Sequence, residues 1–588
     1  MDSSKIYLKN IYYFLPGILF CIYFIMTSSF DNFEGRIFTL SDDVMISMSY
    51  AKTLANSGEL VWYEGAPRVQ GFTNFLYTIA LSLLHLFKFN LTTNSLIVSL
   101  LNLFTIFIIS LKVTSISLIV SNENQKLSYF LGGLIPFQYP LVFWSLRGFE
   151  VGVISLIVIL VVDLLVKSSL NNSKIPKSTL LKIFTLLCIG ILIRIDFIVI
   201  FIGVSLYLLI FNTSNLKDFF NLIKLNLSGA ATLLVLFLFQ YFYYGDPLPN
   251  TYYLKTDGFH LIEKIPRGVL SSLNLLPLLI FILYISFNNF KHKERFRFIS
   301  PIFFVSLLLI IYNIYIGGDA WEVYGFANRF ITPVIPLAFA SIPFFLDSAN
   351  YKNNRIINLI FCIFLFASIF LIQMNVSQLL NFEEPNFKFG HNEFIYLVVV
   401  IIFLIFTKNK ILSTYLIAIL FTLFLSSSHI QYMHREEVQI TNTDYYNVLI
   451  GSRLSEVTEP DARVAIFWAG NLSYYMNRPV IDFLGKSDRF IAKNPPVRKV
   501  VSNKYNFSDF MPGHNKWNFE YSIGELQPDI VTRNWPDPEF FNQLELNKYK
   551  EYCINVTPSK FGDEFPIYVK NNSKNVIYDK LISCSDKS

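Results

Sequence analysis

The sequence predicts a polytopic α-helical membrane protein with a polar α/β domain at its C-terminal end. Of the 588 residues, 53% are hydrophobic and only 15% are charged, whereas soluble domains carry about 25% charged residues. About thirteen apolar runs near the length of a membrane span precede residue 428, and the sequence after it is polar. We therefore predict a transmembrane domain at 1–428 and a globular domain at 429–588.

The apolar runs give the predicted spans. They lie at 10–29, 94–120, 128–145, 150–167, 180–195, 197–212, 225–244, 268–287, 297–316, 329–346, 355–375, 393–407 and 411–428. A further run at 75–89 is amphipathic, contains His85 and Lys88, and is short for a span of about 20 residues. We expect this run to lie on the outer leaflet as a juxtamembrane helix, within a first outer loop at 30–93.

Basic residues in the connectors predict the orientation. They cluster at 167–182, 288–297 and 408–410, and Lys5 and Lys9 precede the first run. If the run at 75–89 does not cross, every cluster falls on the cytoplasmic side, as the positive-inside rule requires. This predicts about thirteen crossings, a cytoplasmic N-terminus and an extracytoplasmic C-terminal domain. We expect no cleavable signal peptide, because the first run is long and lacks a small-residue cleavage site.

Unusual polar residues share the outer face in this orientation. They are Asp42-Asp43, Arg147 with Glu150, Arg194 with Asp196, the stretch 245–255, and Gly317-Gly318-Asp319 with Arg329. A charge at the centre of a span costs roughly 2.5–3.5 kcal/mol, so the carboxylate pair must lie at the membrane edge or in a wet cavity. Taken singly, these groups are typical of a solvated turn, of ion pairs at helix ends and, for Arg329 opening an apolar run, of an interfacial anchor. Their placement on one face favours an active site.

The polar C-terminal part predicts an α/β domain. Short alternating apolar stretches at 462–468, 480–482 and 529–531 are typical of strands that end in polar turns. Cys553 and Cys584 lie in this part, where an extracytoplasmic location would allow a disulfide, although two free thiols are the alternative. No cysteine and histidine spacing indicates a zinc site.

Paired carboxylates and scattered cations at an outer membrane surface indicate a lipid-linked substrate. The sequence has neither a Walker nor a Rossmann glycine pattern. A sugar on a polyprenyl phosphate fits, because Lys255, Arg329 and Arg194 can neutralise the departing phosphate. Asp42 or Asp43 can supply the base that an acceptor hydroxyl needs, and two adjacent carboxylates raise the pKa of one of them. The net charge of +6 follows from the loop bias and does not indicate nucleic-acid binding.

Several motifs follow one another along the chain in a characteristic order. They are Ser41-Asp42-Asp43 with Tyr50-Ala51-Lys52, Gly71-Phe72-Thr73-Asn74, Trp144 through Glu150, Arg194-x-Asp196, Gly245-Asp246-Pro247-Leu248-Pro249-Asn250 with Lys255, Gly317-Gly318-Asp319 with Arg329, Gly485-Lys486-Ser487-Asp488 and Pro512-Gly513-His514 with Trp517. Together they resemble the GT-C arabinofuranosyltransferases, in particular the terminal β-1,2-arabinofuranosyltransferase family and its bacterial relatives. The resemblance covers nearly the whole chain and implies the GT-C fold. Ser49, Tyr63, Ala66 and Gln70 depart from the family pattern, which leaves another pentose or a hexose as alternatives to arabinofuranose.

The resemblance also implies roles for single residues. Asp42 and Asp43 would be the catalytic carboxylates, and a divalent metal could bind this pair together with the donor phosphate. The implied donor-side residues are Lys255, Arg329, Arg194, Asn250 and Glu150. The implied acceptor-side residues are His514, Trp517 and Asp488.

The predicted function is transfer of arabinofuranose or another pentose from a polyprenyl phosphate, such as decaprenylphosphoryl arabinose, to a cell-surface glycan or protein. The reaction would take place on the outer face of the bacterial cytoplasmic (inner) membrane. The alternative is a polytopic transporter or flippase of a lipid-linked or polar substrate. A transporter is typically built from inverted repeats with polar groups near the centres of its spans, whereas the polar clusters here lie at the outer ends.

Overall fold

The computed structural model describes most of the chain. The described residues are 10–32, 35–121, 124–169, 174–290, 292–321, 326–347, 363, 367, 391–406, 409–434, 439–497, 510–533, 537–557 and 563–584. Apart from 363 and 367, the predicted span at 355–375 lies outside them.

The protein is a multi-pass membrane protein. Within the described residues, five helical segments are long and apolar enough to cross a membrane. They are Leu91–Val120, Val151–Ser169, Leu216–Tyr244, Leu261–Phe290 and Arg295–Ile316. The segment Leu216–Tyr244 exposes large apolar side chains such as Leu234, Val235 and Phe242, as expected of a surface that faces lipid. The total of about thirteen crossings stays a prediction.

Seven α-helices lie among the described residues between 15 and 169. They are α1 (Leu15–Thr27), α2 (Asp42–Ser57), α3 (Phe75–Leu86), α4 (Leu91–Val120), α5 (Gln125–Leu134), α6 (Tyr139–Leu146) and α7 (Val151–Ser169). A short hairpin of β1 (Phe30–Asn32) and β2 (Gly35–Ile37) precedes α2.

The helices of the second part complete the membrane domain and lead out of it. They are α8 (Lys177–Ile193), α9 (Ile198–Phe211), α10 (Leu216–Tyr244), α11 (Asn250–Thr256), α12 (Leu261–Ser272), α13 (Leu276–Phe290), α14 (Lys293–Ile316), α15 (Val334–Ser341), α16 (Phe344–Asp347), α17 (His391–Phe406), α18 (Lys410–His434) and α19 (Gln439–Glu456). Helix α18 continues past residue 428, where the sequence predicts the domain boundary.

Two predicted spans are interrupted. The run at 128–145 is divided between α5 and α6, because Pro136 and Pro140 lack the N–H that a continuous helix needs. The run at 329–346 is not one helix either: α15 begins only at Val334, and all eight of its residues are buried in the protein. The sequence predicts that Arg329 opens a helix, but Arg329 lies in the turns that precede α15.

Residues 30–93 form a helical pair at the base of the C-terminal domain at 429–588. We call these two parts the first outer loop and the outer domain, after the predicted orientation. Helix α2 starts with Asp42 and Asp43 in its first turn, where the helix dipole favours negative charge. It ends at Gly58, whose φ of 76° is the left-handed conformation that terminates helices. Helix α3 has 12 residues, packs against α2 and is too short to cross a bilayer.

The outer domain is an α/β domain, as predicted, and it contains a mixed five-stranded sheet. Its strands are β3 (Val464–Ile466), β4 (Val480–Asp482), β5 (Ile530–Thr532), β6 (Tyr549–Asn555) and β7 (Glu564–Lys570), in the order β4-β3-β5-β7-β6. Its described α-helices after α19 are α20 (Asn471–Met476), α21 (Arg489–Lys493) and α22 (Pro538–Leu546), and a π-helix spans Glu520–Glu525. Strands β3, β4 and β5 are parallel, so the loops that follow them leave the same edge of the sheet.

One face of this sheet packs directly on the first outer loop. Val464 and Ile466 of β3 share a buried apolar cluster with Ile46 and Tyr50 of α2. The loops after β3 and β4 consequently reach the N-terminal end of α2, which carries the two carboxylates.

Candidate active site

Asp43 lies between two cations that come from different domains. Its carboxylate accepts a hydrogen bond from Nζ of Lys486 at 2.7 Å and lies 3.3 Å from Nη2 of Arg329. Burial alone would raise the pKa of Asp43, but Lys486 and Arg329 outweigh it and hold that pKa well below its usual range. Asp43 is therefore an anion.

Arg329 is fixed by a second carboxylate. Asp319 accepts two hydrogen bonds from its guanidinium, at 2.6 and 2.7 Å, in the bidentate arrangement that suits arginine. The guanidinium also lies over the rings of Phe149 (4.8 Å) and Trp144 (5.7 Å). Although burial opposes it, Arg329 lowers the pKa of Asp319 to about 2. Arg329 thus presents a fixed positive charge beside Asp43.

Glu150 is fixed by Arg194 and Asn74. It accepts hydrogen bonds from Nη1 of Arg194 at 2.9 Å and from Nδ2 of Asn74 at 3.0 Å. Arg194 also pairs with Asp196. Arg194 does not line the pocket beside Asp43, but it fixes Glu150, which does.

Lys255 provides a cation with no counter-ion in contact. Within the described residues its ammonium has no hydrogen-bond or salt-bridge partner, and it lies 5.3 Å from the centre of the Phe330 ring. Burial lowers the pKa of Lys255 to about 8, against the opposing effect of Asp319. A half-buried ammonium without a direct partner is suited to bind an anion.

His514 has one ring nitrogen occupied and one free. Nδ1 donates a hydrogen bond to the carbonyl oxygen of Pro512 at 3.1 Å, which leaves Nε2 as an acceptor. Nε2 is buried and has no partner among the residues that the structure describes. Burial, aided by Lys486, lowers the pKa of His514 to about 3, so the ring is neutral.

These groups line one pocket of about 650 Å³. Its charged lining residues are Asp43, Glu150, Lys255, Asp319, Arg329 and Lys486. Because Asp43, Asp319 and Glu150 are each engaged by basic side chains, Lys255 is the cation left to attract a ligand. We call this space the cationic pocket.

Asp42 points into different surroundings. Its two carboxylate oxygens accept hydrogen bonds from the backbone N–H groups of Asn471 (2.8 Å) and Gly470 (3.2 Å), at the start of α20. A side chain at Gly470 would lie 1.7 Å from the carbonyl oxygen of Asp42, so only glycine permits this approach. Burial raises the pKa of Asp42 to about 6, although Lys486 and the N–H of Asn471 oppose the shift. Asp42 joins the two domains and does not line the cationic pocket.

A second cavity of about 530 Å³ lies on the Asp42 side. Its lining residues are Ser41, Asp42, Asp43, Trp144, Phe149, Trp321, Thr443, Asp444, Asn447 and Trp468. Asp43 and Phe149 line both cavities. We call this second space the tryptophan cavity.

The structure brings together some of the predicted site residues but not all of them. Asp43, Glu150, Lys255, Arg329 and His514 line the cationic pocket. Three others have contacts outside both cavities. Asn250 donates to the carbonyl oxygen of Gly485, Asp488 caps α21, and Trp517 packs against the core of the outer domain.

Other lining residues were absent from the predicted site. Lys486 and Asp319 belong to motifs that the sequence analysis singles out, yet only the structure shows their contacts with Asp43 and Arg329. Asp444, Trp321 and Trp468 have no local signal that connects them to the carboxylate pair.

The carboxylate pair does not fit a divalent metal as it is arranged. Both oxygens of Asp42 accept backbone hydrogen bonds, and Asp43 is engaged by two cations that would repel a third. No group of three potential His, Cys, Asp or Glu ligands occurs within the described ranges. We derive no step through a metal ion.

The arrangement of helices and outer domain defines the GT-C fold. The chain is similar to the solved structure of ArnT from Cupriavidus metallidurans in the apo state, with 10% sequence identity and a TM-score of 0.51, covering 97% of this chain and 98% of that one. The structure of the same protein bound to undecaprenyl phosphate gives 10% identity, a TM-score of 0.50, and coverage of 97% and 99%.

Sequence similarity is found to one family model. Residues 431–561 match the family model described as a domain of unknown function, DUF8728. No curated protein matches the sequence.

Proposed function

We propose that the protein transfers a sugar from a polyprenyl-phosphate donor to an acceptor hydroxyl. The observation that carries this proposal is the position of Asp43 between the cationic pocket and the tryptophan cavity. A transferase needs two substrate spaces that meet at one reactive group, and these two spaces meet at a carboxylate. The ArnT structure that shares the fold is described as bound to undecaprenyl phosphate, which supports a lipid phosphate as the ligand of the cationic pocket.

The cationic pocket suits the donor phosphate. Lys255 has no counter-ion, and Arg329 and Lys486 can each donate to a phosphate oxygen from their present positions beside Asp43. A polyprenyl-phosphate sugar carries one negative charge, and the phosphate monoester that leaves carries up to two. Fixed cations therefore stabilise the departing group more strongly than the bound donor, which is the condition for catalysis.

The reaction can be written with Asp43 as base. The acceptor oxygen attacks the anomeric carbon, and the bond from that carbon to the phosphate oxygen breaks. The electron pair of the broken bond stays on the phosphate, and the acceptor proton passes to Asp43. Asp43 could instead act as a nucleophile in two successive displacements, and the anomer of the product distinguishes these routes.

Donor binding would increase the basicity of Asp43. Lys486 and Arg329 lower the pKa of Asp43. A phosphate that shares these two cations would reduce their effect on Asp43 and bring its pKa closer to the usual range. The base would then gain strength only when a donor is present, which limits reaction in its absence.

The finer assignment rests on the family resemblance of the sequence. We propose arabinofuranose or another pentose as the sugar, a cell-surface glycan or protein as the acceptor, and the bacterial cytoplasmic membrane as the location. The N-terminus would be cytoplasmic and the outer domain periplasmic or otherwise extracytoplasmic.

The test uses purified full-length protein and synthetic decaprenyl-phosphate sugars carrying arabinofuranose, a second pentose or a hexose. The measurement is release of decaprenyl phosphate with a crude cell-envelope acceptor fraction. We expect Asp43→Asn to reduce the rate by about 10³-fold, within the range for loss of a general base. The exposed Asp461, changed to Asn, is the matched control and should leave the rate unchanged.

Two outcomes would contradict the proposal. One is full activity of Asp43→Asn while the protein remains folded. The other is intact donor moving across a vesicle membrane without cleavage, which would support a transporter instead.

A further inference from the structure

We propose that the tryptophan cavity binds a neutral sugar unit, so that the acceptor is an uncharged glycan and not a protein. This inference rests on the proposed function, because it assigns the acceptor to the cavity that shares Asp43 with the cationic pocket.

Indole rings form much of the cavity wall. Trp321 and Trp468 have ring centres 5.8 Å apart at an interplanar angle of 43°, and Trp144 also lines the space. Trp321 and Trp468 are only partly buried, so part of their surface remains for a ligand. Broad apolar ring faces with a polar edge suit a sugar, whose C–H faces are apolar and whose rim carries hydroxyls.

Two buried polar groups on the same wall lack partners. Nδ2 of Asn447 and Oγ of Ser41 have no hydrogen-bond partner among the described residues, although both side chains belong to residues more than nine-tenths buried. Buried polar atoms are nearly always paired in folded proteins. A ligand with several neighbouring hydroxyls can accept from Asn447 and exchange hydrogen bonds with Ser41.

The described lining of the cavity offers no free positive charge to an anionic ligand. Among the residues that the structure describes, the lining includes neither lysine nor arginine. Arg147 lies behind it and is already paired with Asp444, which also accepts a hydrogen bond from Nδ2 of Asn471 at 3.0 Å. Asp42, Asp43 and Asp444 all line the space, so phosphorylated or acidic acceptors would meet carboxyl groups alone.

The carboxyl groups can serve a neutral ligand. Burial raises the pKa of Asp444 to about 7 and that of Asp42 to about 6. Each oxygen of these two carboxyl groups already accepts an N–H hydrogen bond from the protein, so a sugar hydroxyl can donate to the remaining lone pairs.

A peptide acceptor fits less well. Extended peptides commonly bind along an exposed strand edge, where backbone groups pair. None of the lining residues belongs to a strand: they come from α2 and the residues flanking it, from α6, α19 and the loops after α6, α14 and β3. The unpaired polar groups of the cavity lining are side chains and not a row of backbone groups, which suits a sugar ring better than an extended peptide.

The proposal is tested by binding, independently of transfer. Purified protein is titrated with three probes: a neutral oligo-arabinofuranoside, an anionic oligogalacturonate, and a decapeptide containing serine and threonine. Tryptophan fluorescence reports occupancy. We expect a saturable change with the neutral oligosaccharide alone, and an apparent Kd about tenfold weaker in Asn447→Ala, as loss of one buried hydrogen bond predicts.

Matched variants separate the site from general damage. Asn542 is exposed on α22, and Asn542→Ala should bind like the wild type. Trp468→Ala should weaken binding, and Trp468→Phe, which keeps a ring, should restore most of it. Thermal unfolding of each variant checks the fold.

The outcomes distinguish this inference from the proposed function. Saturable binding of the neutral oligosaccharide that depends on Asn447, without donor cleavage, supports the tryptophan cavity as a sugar site and contradicts the transferase. Donor cleavage with transfer to the peptide, or binding of the oligogalacturonate or the peptide alone, overturns the inference and leaves the transferase intact. Binding of none of the three probes also counts against the inference.

Discussion

Lys486 of the outer domain donates a 2.7 Å hydrogen bond to Asp43 of the first outer loop, although 443 residues separate them in the chain. The bond exists because the loop after β4 and the start of α2 meet where one face of the sheet packs on the loop helix. The candidate site is therefore complete only when the outer domain is seated on the membrane domain.

Gly470→Ala tests this dependence on seating. The added methyl group would lie 1.7 Å from the carbonyl oxygen of Asp42, so backbone must move. Overpacking of this kind costs about 1–3 kcal/mol, and we expect transfer to fall at least tenfold while each domain keeps its secondary structure. Circular dichroism and the donor-cleavage rate are the measurements.

Gly524→Ala is the matched control in the same domain. There the nearest atom to an added methyl group is Oε1 of Gln543 at 3.0 Å, the end of a flexible side chain. Unchanged transfer in both variants would show that the close approach at Gly470 is not needed.

The pKa of Lys255 predicts how kcat/KM falls at alkaline pH. Its pKa is lowered to about 8, so the ammonium is charged below that pH and becomes neutral as the pH rises through it. We expect kcat/KM for the donor, which reports the free enzyme, to fall above about pH 8. In Lys255→Arg the side chain stays charged, and the decline should move to higher pH.

The control is the exposed Lys574, whose change to Arg should leave the limb in place. An identical alkaline limb in Lys255→Arg and in the wild type would assign the titration to another group.

The Cys553–Cys584 disulfide predicts a redox-dependent stability of the outer domain. It closes a loop across 31 positions. The loop-closure relation gives about 3–4 kcal/mol for a loop of this length. We expect the double variant Cys553→Ser and Cys584→Ser to lower the free energy of unfolding of the outer domain by this amount, measured by denaturant titration of the full chain.

Cys188→Ala removes a thiol that is not in a disulfide and serves as the control. If the double variant and this control unfold at the same denaturant concentration, the disulfide does not stabilise the domain.

Cysteine labelling tests the orientation. Asn56 at the end of α2 and Lys177 at the start of α8 are both exposed. In a background without Cys21, Cys188 and Cys362, Asn56→Cys should react with a membrane-impermeant maleimide in intact cells. Lys177→Cys should react only after permeabilisation, because the predicted connector at 167–182 is cytoplasmic.

Equal labelling of the two variants in intact cells would contradict the orientation. An unlabelled Asn56→Cys that becomes reactive after permeabilisation would reverse it.

The sequence is sufficient for the class of fold and for part of the pocket. Asp43, Lys255 and Arg329 were expected together because connector charge placed them on one face, and the structure brings all three to one pocket. Strand β3 lies within the predicted stretch 462–468, β4 coincides with 480–482, and β5 begins one residue later than the predicted 529–531. The sequence is enough to predict the shared face of these residues and the positions of the strands, because both depend on hydropathy and charge along the chain.

The different roles of Asp42 and Asp43 depend on geometry that spacing alone does not show. Adjacent residues on a helix point about 100° apart, so one carboxylate meets Gly470 while the other meets Lys486. The partners lie more than 400 residues away in sequence, and no periodicity relates them. Trp321 and Trp468 likewise become neighbours only through the packing of the outer domain.

The wall shared by the two cavities has a consequence for ligand design. Because Asp43 and Phe149 border both spaces, a phosphonate seated near Lys255 and a glycoside seated near Asn447 would be separated by little more than these two side chains. Tethering such fragments with a short linker makes the second contact intramolecular, and the gain in avidity can reach 10²–10⁴-fold without any added interaction. A bisubstrate compound of this kind would inhibit by spanning the carboxylate, with neither fragment needing high affinity by itself.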